Sequence, residues 1–249
     1  MIKITETEVF GFRAAFRDMR NPMESWDRSD SCFGSFLDKW RPLDIYVPEL
    51  PVIGPEDMRL ALKLVAGGTE HRKFLRQIVI NAVFEAPRYL WQEIDTYKVA
   101  TVRNSCSTMH KLGHRDLVPG DFEASDISPS LLDQINVLGL QYREGGKKDF
   151  ALVARMKRLL PEGYLQRAGY HMNYETALSM FRQRANHRLL EWRFTPMTPP
   201  LPGACSAECS QMFFGSKSIG QPVERSICNW IYLLPCMSDF ISALEKKGL

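Results

Sequence analysis

The run Ile78-Val79-Ile80-Asn81-Ala82-Val83-Phe84 decides the fold class of this chain. It is rich in β-branched and aromatic residues and shows no strong polar alternation, the composition of a strand covered on both faces. Such a strand belongs in the middle of a sheet. The segments around it read mainly as helices, so the prediction is an α+β fold with a central β-sheet flanked by helices.

Upstream, Pro55 after Gly54 opens a helix with Met58, Ala61, Leu62 and Val65 at i, i+3, i+4 and i+7, and Gly67-Gly68 ends it. Downstream, Pro87 starts a short helix carrying Leu90, Trp91 and Ile94. The stretch Lys98 to His110 is small, hydroxyl-rich and polar, and reads as a structured loop. Ser128-Pro129 begins another helix with Leu131, Leu132, Ile135, Leu138 and Tyr142 at helical spacing up to Gly145-Gly146. A further one carries Phe150, Val153, Met156 and Leu160 to Pro161.

Asn173 is a good N-cap for a long helix whose buried stripe is Leu178, Phe181, Ala185, Leu189 and Trp192, with Arg184, Arg188 and Glu191 on a neighbouring face. Helical order returns at Ile227, Trp230, Ile231 and Leu234, and Ser238 is expected to cap a last short helix. The first 52 residues show no sustained period and are expected to wrap a core built elsewhere. Residues 195–221 are loaded with Pro, Gly and Ser and read as a surface insertion.

With 249 residues and 45% hydrophobic composition the chain can bury a large core, and residues 1–249 are predicted to form a single domain. A net charge of +3 is too small to imply a nucleic-acid or membrane surface. No stretch approaches the roughly 20 apolar residues that cross a bilayer, and Met1-Ile-Lys-Ile-Thr-Glu-Thr-Glu8 lacks the apolar core of a signal peptide. A cytoplasmic protein is expected, with its six cysteines read as reduced thiols. Cys205 and Cys209 lack a second pair at zinc-finger spacing, and the five histidines form no H-E-x-x-H, so no metal is predicted.

No G-x-S-x-G, P-loop or G-x-G-x-x-G is present, which removes the common hydrolase, NTPase and Rossmann readings. What remains is the Lys98–His110 stretch and the helix bearing Arg184. A guanidinium fork with hydroxyl and backbone donors is the natural holder of a phosphate, and these two segments offer those groups. The alternative is a turn that satisfies its own backbone and a solvated arginine face.

At these segments the chain resembles the flavin-dependent thymidylate synthases, whose signature is R-H-R-x-x-S-x-N-E-x-S-x-R-Y. Ala86-Pro87 leads without a gap to Thr96-Tyr97-Lys98-Val99-Ala100-Thr101-Val102-Arg103-Asn104-Ser105-Cys106-Ser107-Thr108-Met109. Lys98 takes the place of the last arginine of R-H-R, Thr101 of the first serine, Cys106 of the second, and Thr108 with Met109 of the final Arg-Tyr. The signature Arg-His becomes Thr96-Tyr97, the preceding Gln is Glu93, and Asn-Glu becomes Arg103-Asn104. His71 falls where the family has a flavin-contacting histidine. Leu160-Pro161, Asn173 and Arg184 keep the mutual spacing of the family's Leu-Pro, its flavin-contacting asparagine and its nucleotide-binding arginine, with Lys157 or Arg158 in place of a second such arginine.

The resemblance covers about 75 of the 249 residues. It implies FAD as cofactor, held by His71, Lys98, Thr101, Asn104 and Asn173, and a pyrimidine deoxynucleotide held by Glu93, Cys106, Ser107, Thr108, Lys157 and Arg184. The implied reaction passes a one-carbon unit to C5 of the pyrimidine, dUMP to dTMP by default, with methylenetetrahydrofolate and NADPH as co-substrates, in a homotetramer. Arg184 and Cys106 are the implied catalytic residues. A thiol is a stronger nucleophile than the hydroxyl it replaces, and Lys98 and Arg103 are close enough in sequence to lower its pKa. The changed positions also leave two other readings open: an enzyme hydroxymethylating dCMP or dUMP, or a non-catalytic nucleotide-binding protein.

Overall fold

The computed structural model describes residues 2–34, 45–46, 50–196 and 226–246. Among them the fold is α+β, as predicted. The central sheet has the order β3-β1-β5-β7-β6, built from β1 (Lys3–Phe10), β3 (Ile45–Tyr46), β5 (Val79–Pro87), β6 (Val102–Ser105) and β7 (Leu165–Asn173). β5 holds the central place expected of it. Its side chains nevertheless alternate between buried and half-buried. Ile80, Ala82, Phe84 and Ala86 face the core, while Asn81 and Glu85 lie on the partly open side, so the expectation of a strand covered on both faces fails.

The chain divides into two compact units, residues 1–3, 84–96 and 103–169 in one, and residues 4–83, 97–102 and 170–249 in the other. In the first, α3 (Arg88–Ile94) follows β5, and α5 (Pro129–Glu144) packs on α6 (Phe150–Leu159). Leu112, Phe122, Leu138, Val153 and Met156 fill the space beneath them. Asn136 on α5 clips the preceding loop by accepting from Leu117 N–H at 2.8 Å and donating to Leu117 C=O at 3.0 Å. α6 is capped by Asp149 and stops before Pro161, whose ring excludes a continuing helix.

The second unit corrects the reading of the N-terminus as a wrapping, aperiodic arm. β1 is a sheet strand, and α1 (Phe12–Asp18) buries Phe12, Ala15 and Phe16. The alternation of β1 was hidden because Glu6 has φ 51 inside the strand and because the buried face uses Thr7, whose hydroxyl accepts from Trp230 Nε1 at 3.1 Å. Gly11 joins strand to helix at φ +95, and a Cβ there would stand 2.2 Å from the Gln77 carbonyl oxygen. Phe16, Phe74 and Phe240 form a chain of edge-on ring contacts at 5.9 and 6.1 Å, and Phe12 meets Tyr174 at 5.5 Å.

A two-stranded antiparallel ribbon, β2 (Cys32–Gly34) with β4 (Leu50–Val52), precedes α2 (Pro55–Ala66). Proline occupies the first turn of α2 as expected, but the capping oxygens come from Asp30, which accepts from Glu56 N–H and Asp57 N–H. α7 (Tyr174–Arg184) starts at the predicted Asn173 cap and ends eight residues before Trp192. Helices Ile227–Tyr232 and Met237–Glu245 follow, the last preceded by Cys236 rather than capped by Ser238. Cys236 is disulfide-bonded, against the expectation of six reduced thiols, while Cys32, Cys106 and Cys228 are free. Apart from Thr195 and Pro196, the Pro/Gly/Ser-rich segment and Cys205-x-x-x-Cys209 lie outside the described residues.

Candidate functional site

The arginine singled out from the sequence is held on three sides. Asn173 Oδ1 accepts from Thr176 N–H at 2.9 Å and starts α7, which turns Ala177, Leu178 and Phe181 into the core. That leaves Gln183 and Arg184 in the last turn, Arg184 half-buried. Its Nε donates to Tyr97 Oη at 3.1 Å, and Tyr97 Oη in turn donates to Gln183 Oε1 at 3.3 Å. The guanidinium carbon lies 5.9 Å from the Tyr97 ring centroid and 5.3 Å from that of Trp192, and the two rings are 6.0 Å apart. This is cation–π geometry on two aromatic rings.

Arg184 Nη1 also stands 2.9 Å from His187 Nε2. A guanidinium only donates, so Nε2 accepts and the imidazole proton is on Nδ1. Leu189 N–H lies 3.3 Å from Nδ1. A neutral imidazole cannot accept at both nitrogens, so the shorter, charge-assisted contact sets the tautomer. Trp192 is fully buried, and its Nε1 has no hydrogen-bond partner among the described residues. The nearby Cys228 thiol is pushed up to about 12 by burial, against the pull of the Arg184 charge, and so stays protonated.

Tyr97 is fixed by the turn it begins. Thr101 Oγ1 donates back to Tyr97 C=O, and Thr176 Oγ1 on α7 donates to Val99 C=O at 3.1 Å. Ala100, between them, is in the left-handed region at φ 57. Thr101 and Asn173, read as flavin-binding, therefore also support the Tyr97–Arg184 contact. Asn173 has no further partner for its amide nitrogen among the described residues. Lys98 and His71 are exposed. Arg72, next to His71, is the buried member of that pair and forms an ion pair with Glu175 at 2.9 Å.

In the other unit, the stretch read as a loop contains β6 and a short helix, α4 (Thr108–Lys111), so that reading is corrected. Ser107 caps α4 by accepting from His110 N–H at 3.3 Å, and Thr108 is its first residue. Cys106 is exposed; its N–H donates to Arg167 C=O at 2.9 Å and its C=O accepts from Gln166 Nε2 at 2.8 Å. Asn104 is exposed on β6. Arg103 pairs with Asp95 at 2.7 Å and lies 4.7 Å over the Trp91 ring. Glu93 is half-buried near the end of α3, where its carbonyl accepts from Thr96, and Lys157 is exposed on α6.

Sequence reasoning missed Tyr97, His187 and Trp192 as partners of Arg184, and Gln183 as the acceptor of the Tyr97 hydroxyl. It extended α7 to Trp192, which puts Arg188 beside Arg184; the helix ends at Arg184, and the turn that follows brings His187 back instead. It also missed the contact of 2.8 Å between His171 Nδ1 and Asn81 Oδ1 on the half-open side of the sheet. Period-two alternation around Asn81 was the available signal. Among the described residues no group of His, Cys, Asp and Glu is placed to hold a metal ion, and no helix is long and apolar enough to cross a membrane.

The fold is that of the flavin-dependent thymidylate synthases. Two solved structures of the enzyme from Helicobacter pylori, both with FAD and dUMP, are similar to it. One has a TM-score of 0.58 at 12% identity, covering 98% of this chain and 100% of that one. The other has a TM-score of 0.53 at 14% identity, covering 76% and 87%. The likeness at these identities is one of fold. No protein-family model matches the sequence, and no curated protein does.

Proposed function

We propose that this chain binds FAD and a pyrimidine deoxynucleotide and transfers a one-carbon unit to C5 of the pyrimidine, with dUMP to dTMP the default reaction. The observation that carries the reading is the presentation of Arg184. Its guanidinium is oriented by Tyr97 and His187 within a fold whose solved examples hold FAD and dUMP. A pre-oriented guanidinium suits an anionic or carbonyl oxygen on a nucleotide, since less freedom is lost on binding.

The donors available for a flavin fit that cofactor. His71 and Lys98 face solvent with an imidazole and an ammonium, and Asn173 offers an amide N–H. These groups suit the phosphates and ring carbonyls of FAD. Bound flavin would supply the hydride, and the chain's own residues supply binding and orientation. Methylenetetrahydrofolate as carbon donor, NADPH as reductant and a homotetramer complete the proposal. Arg184 is its principal nucleotide-binding residue, with Cys106 the candidate nucleophile.

A second reading, hydroxymethylation of dCMP or dUMP, is favoured by the fate of Arg103. At a position where the resembled signature has asparagine, its side chain is committed to Asp95 and Trp91. A changed contact set rewrites base preference. The absorbance spectrum of the purified protein, followed by thermal shift with dUMP and with dCMP, separates the readings. A flavin spectrum with stabilisation by dUMP is expected. Stabilisation by dCMP alone favours the second reading, and nucleotide binding without flavin leaves a non-catalytic binding protein.

A further inference from the structure

We propose that Tyr97 is a positioning residue that sets nucleotide affinity through Arg184, and that this role is separate from flavin binding. The inference rests on the proposed nucleotide-binding role of Arg184. Tyr97 does not reach Arg184 by one contact alone. Its hydroxyl accepts from Nε at 3.1 Å, its ring lies 5.9 Å from the guanidinium carbon, and the ring also packs against Trp192 at 6.0 Å. The guanidinium is thereby given both an in-plane partner and an aromatic face, which fixes its tilt as well as its place.

The turn that carries Tyr97 is built to hold it. Thr101 closes the turn onto Tyr97 C=O, Thr176 ties Val99 C=O to the same helix that bears Arg184, and Ala100 takes a left-handed conformation to allow both. A non-glycine residue at φ 57 is strained, so the surrounding hydrogen bonds must over-determine it. Gln183 Oε1 accepts the hydrogen bond of the Tyr97 hydroxyl at 3.3 Å, which leaves the phenol oxygen lone pairs to Arg184. The hydroxyl is thus oriented as an acceptor, and a phenyl ring at this position would keep the face and lose the in-plane partner.

Three variants of the full chain test this: Tyr97→Phe, Arg184→Met and the pair, each with FAD and dUMP titrated separately. Tyr97→Phe is expected to weaken dUMP about tenfold and leave FAD affinity within about twofold, the effect of one hydrogen bond to a charged group. In the Arg184→Met background the same change is expected to do nothing further to dUMP binding. The Nε–H resonance of Arg184 is expected to be slow to exchange in the native chain and fast in Tyr97→Phe, with no ligand present.

Native dUMP affinity in Tyr97→Phe, or an additive loss in the double variant, overturns the proposal. So does an unchanged Arg184 Nε–H resonance. If the native chain binds no dUMP at all, the proposed function fails. The positioning proposal is then judged on the resonance alone, so the two failures are distinguishable. A Tyr97→Phe variant that has lost FAD binding as well would mean a general structural role and also overturns it.

Discussion

Arg20 and Asp57, thirty-seven positions apart in sequence, are joined by an ion pair of 2.6 Å with 4% and 0% of their side chains exposed. Burial pushes the Asp57 carboxyl up, but hydrogen bonds from Ser31, Ser29 and Arg20 more than offset it and hold the group below the usual carboxylate range. The Ser29 hydroxyl donates at 2.7 Å and Ser31 N–H at 3.1 Å to the oxygen that Arg20 Nε does not use. The stretch Arg20-Asn-Pro-Met-Glu-Ser-Trp26-Asp, which matches no motif, is thus a structural clasp on α2.

Removing one side of this clasp leaves a buried charge without its counter-ion. Arg20→Leu is expected to cost about 3–5 kcal/mol, read from urea unfolding. The folded carboxylate is favoured, so the contribution of Asp57 is fully present above the unfolded value of about 3.9 and is lost as pH falls through the lower folded value. Asp57→Asn should therefore flatten the acid limb of the stability profile.

Asp239 has the opposite sign. It lies half-buried on helix Met237–Glu245, and burial raises its carboxyl above the ordinary value. The folded state holds the proton more tightly, so stability is greatest below the unfolded value and declines as pH rises through the raised folded value. Asp239→Asn is expected to raise the melting temperature at pH 7 and leave it unchanged at pH 3; an unchanged Tm at both would mean the charge is well solvated.

Ala100→Gly relieves the left-handed strain in the Tyr97–Thr101 turn without removing a side-chain contact of the Arg184 cluster. A gain of about 0.5–1 kcal/mol is expected in thermal or denaturant unfolding. If the turn must be rigid to hold Tyr97, dUMP affinity should fall in the same variant.

The three free cysteines among the described residues should separate by reactivity. Cys32 and Cys106 are exposed, whereas Cys228 is buried with its thiol pushed up to about 12. Iodoacetamide is expected to label the first two in the native chain and Cys228 only after unfolding. Full turnover in Cys106→Ala would remove the nucleophilic role proposed for that thiol.

The centre of the fold was legible because it is written in short-range patterns. Gly54-Pro55, Ser128-Pro129 and Asn173 mark helix starts that depend on local backbone chemistry, and the Ile78–Phe84 run marks its strand by composition. β1 was not legible because its alternation is broken at Glu6 and its buried face borrows a threonine that only Trp230, far along the chain, makes acceptable. The site shows the same division. Arg184 was found by spacing, but Tyr97 and His187 act through contacts that depend on where α7 stops, and nothing local in Arg184-Ala-Asn-His187 marks that stop.

Glu191 C=O accepts from Ile227 N–H at 2.7 Å, and Asn229 Oδ1 accepts from Thr195 N–H at 2.8 Å. Helix Ile227–Tyr232 is thus stitched at two points to the turn that follows α7 and carries His187 and Trp192. The backbone behind Arg184 therefore owes its shape to a helix far along the chain as much as to α7 itself.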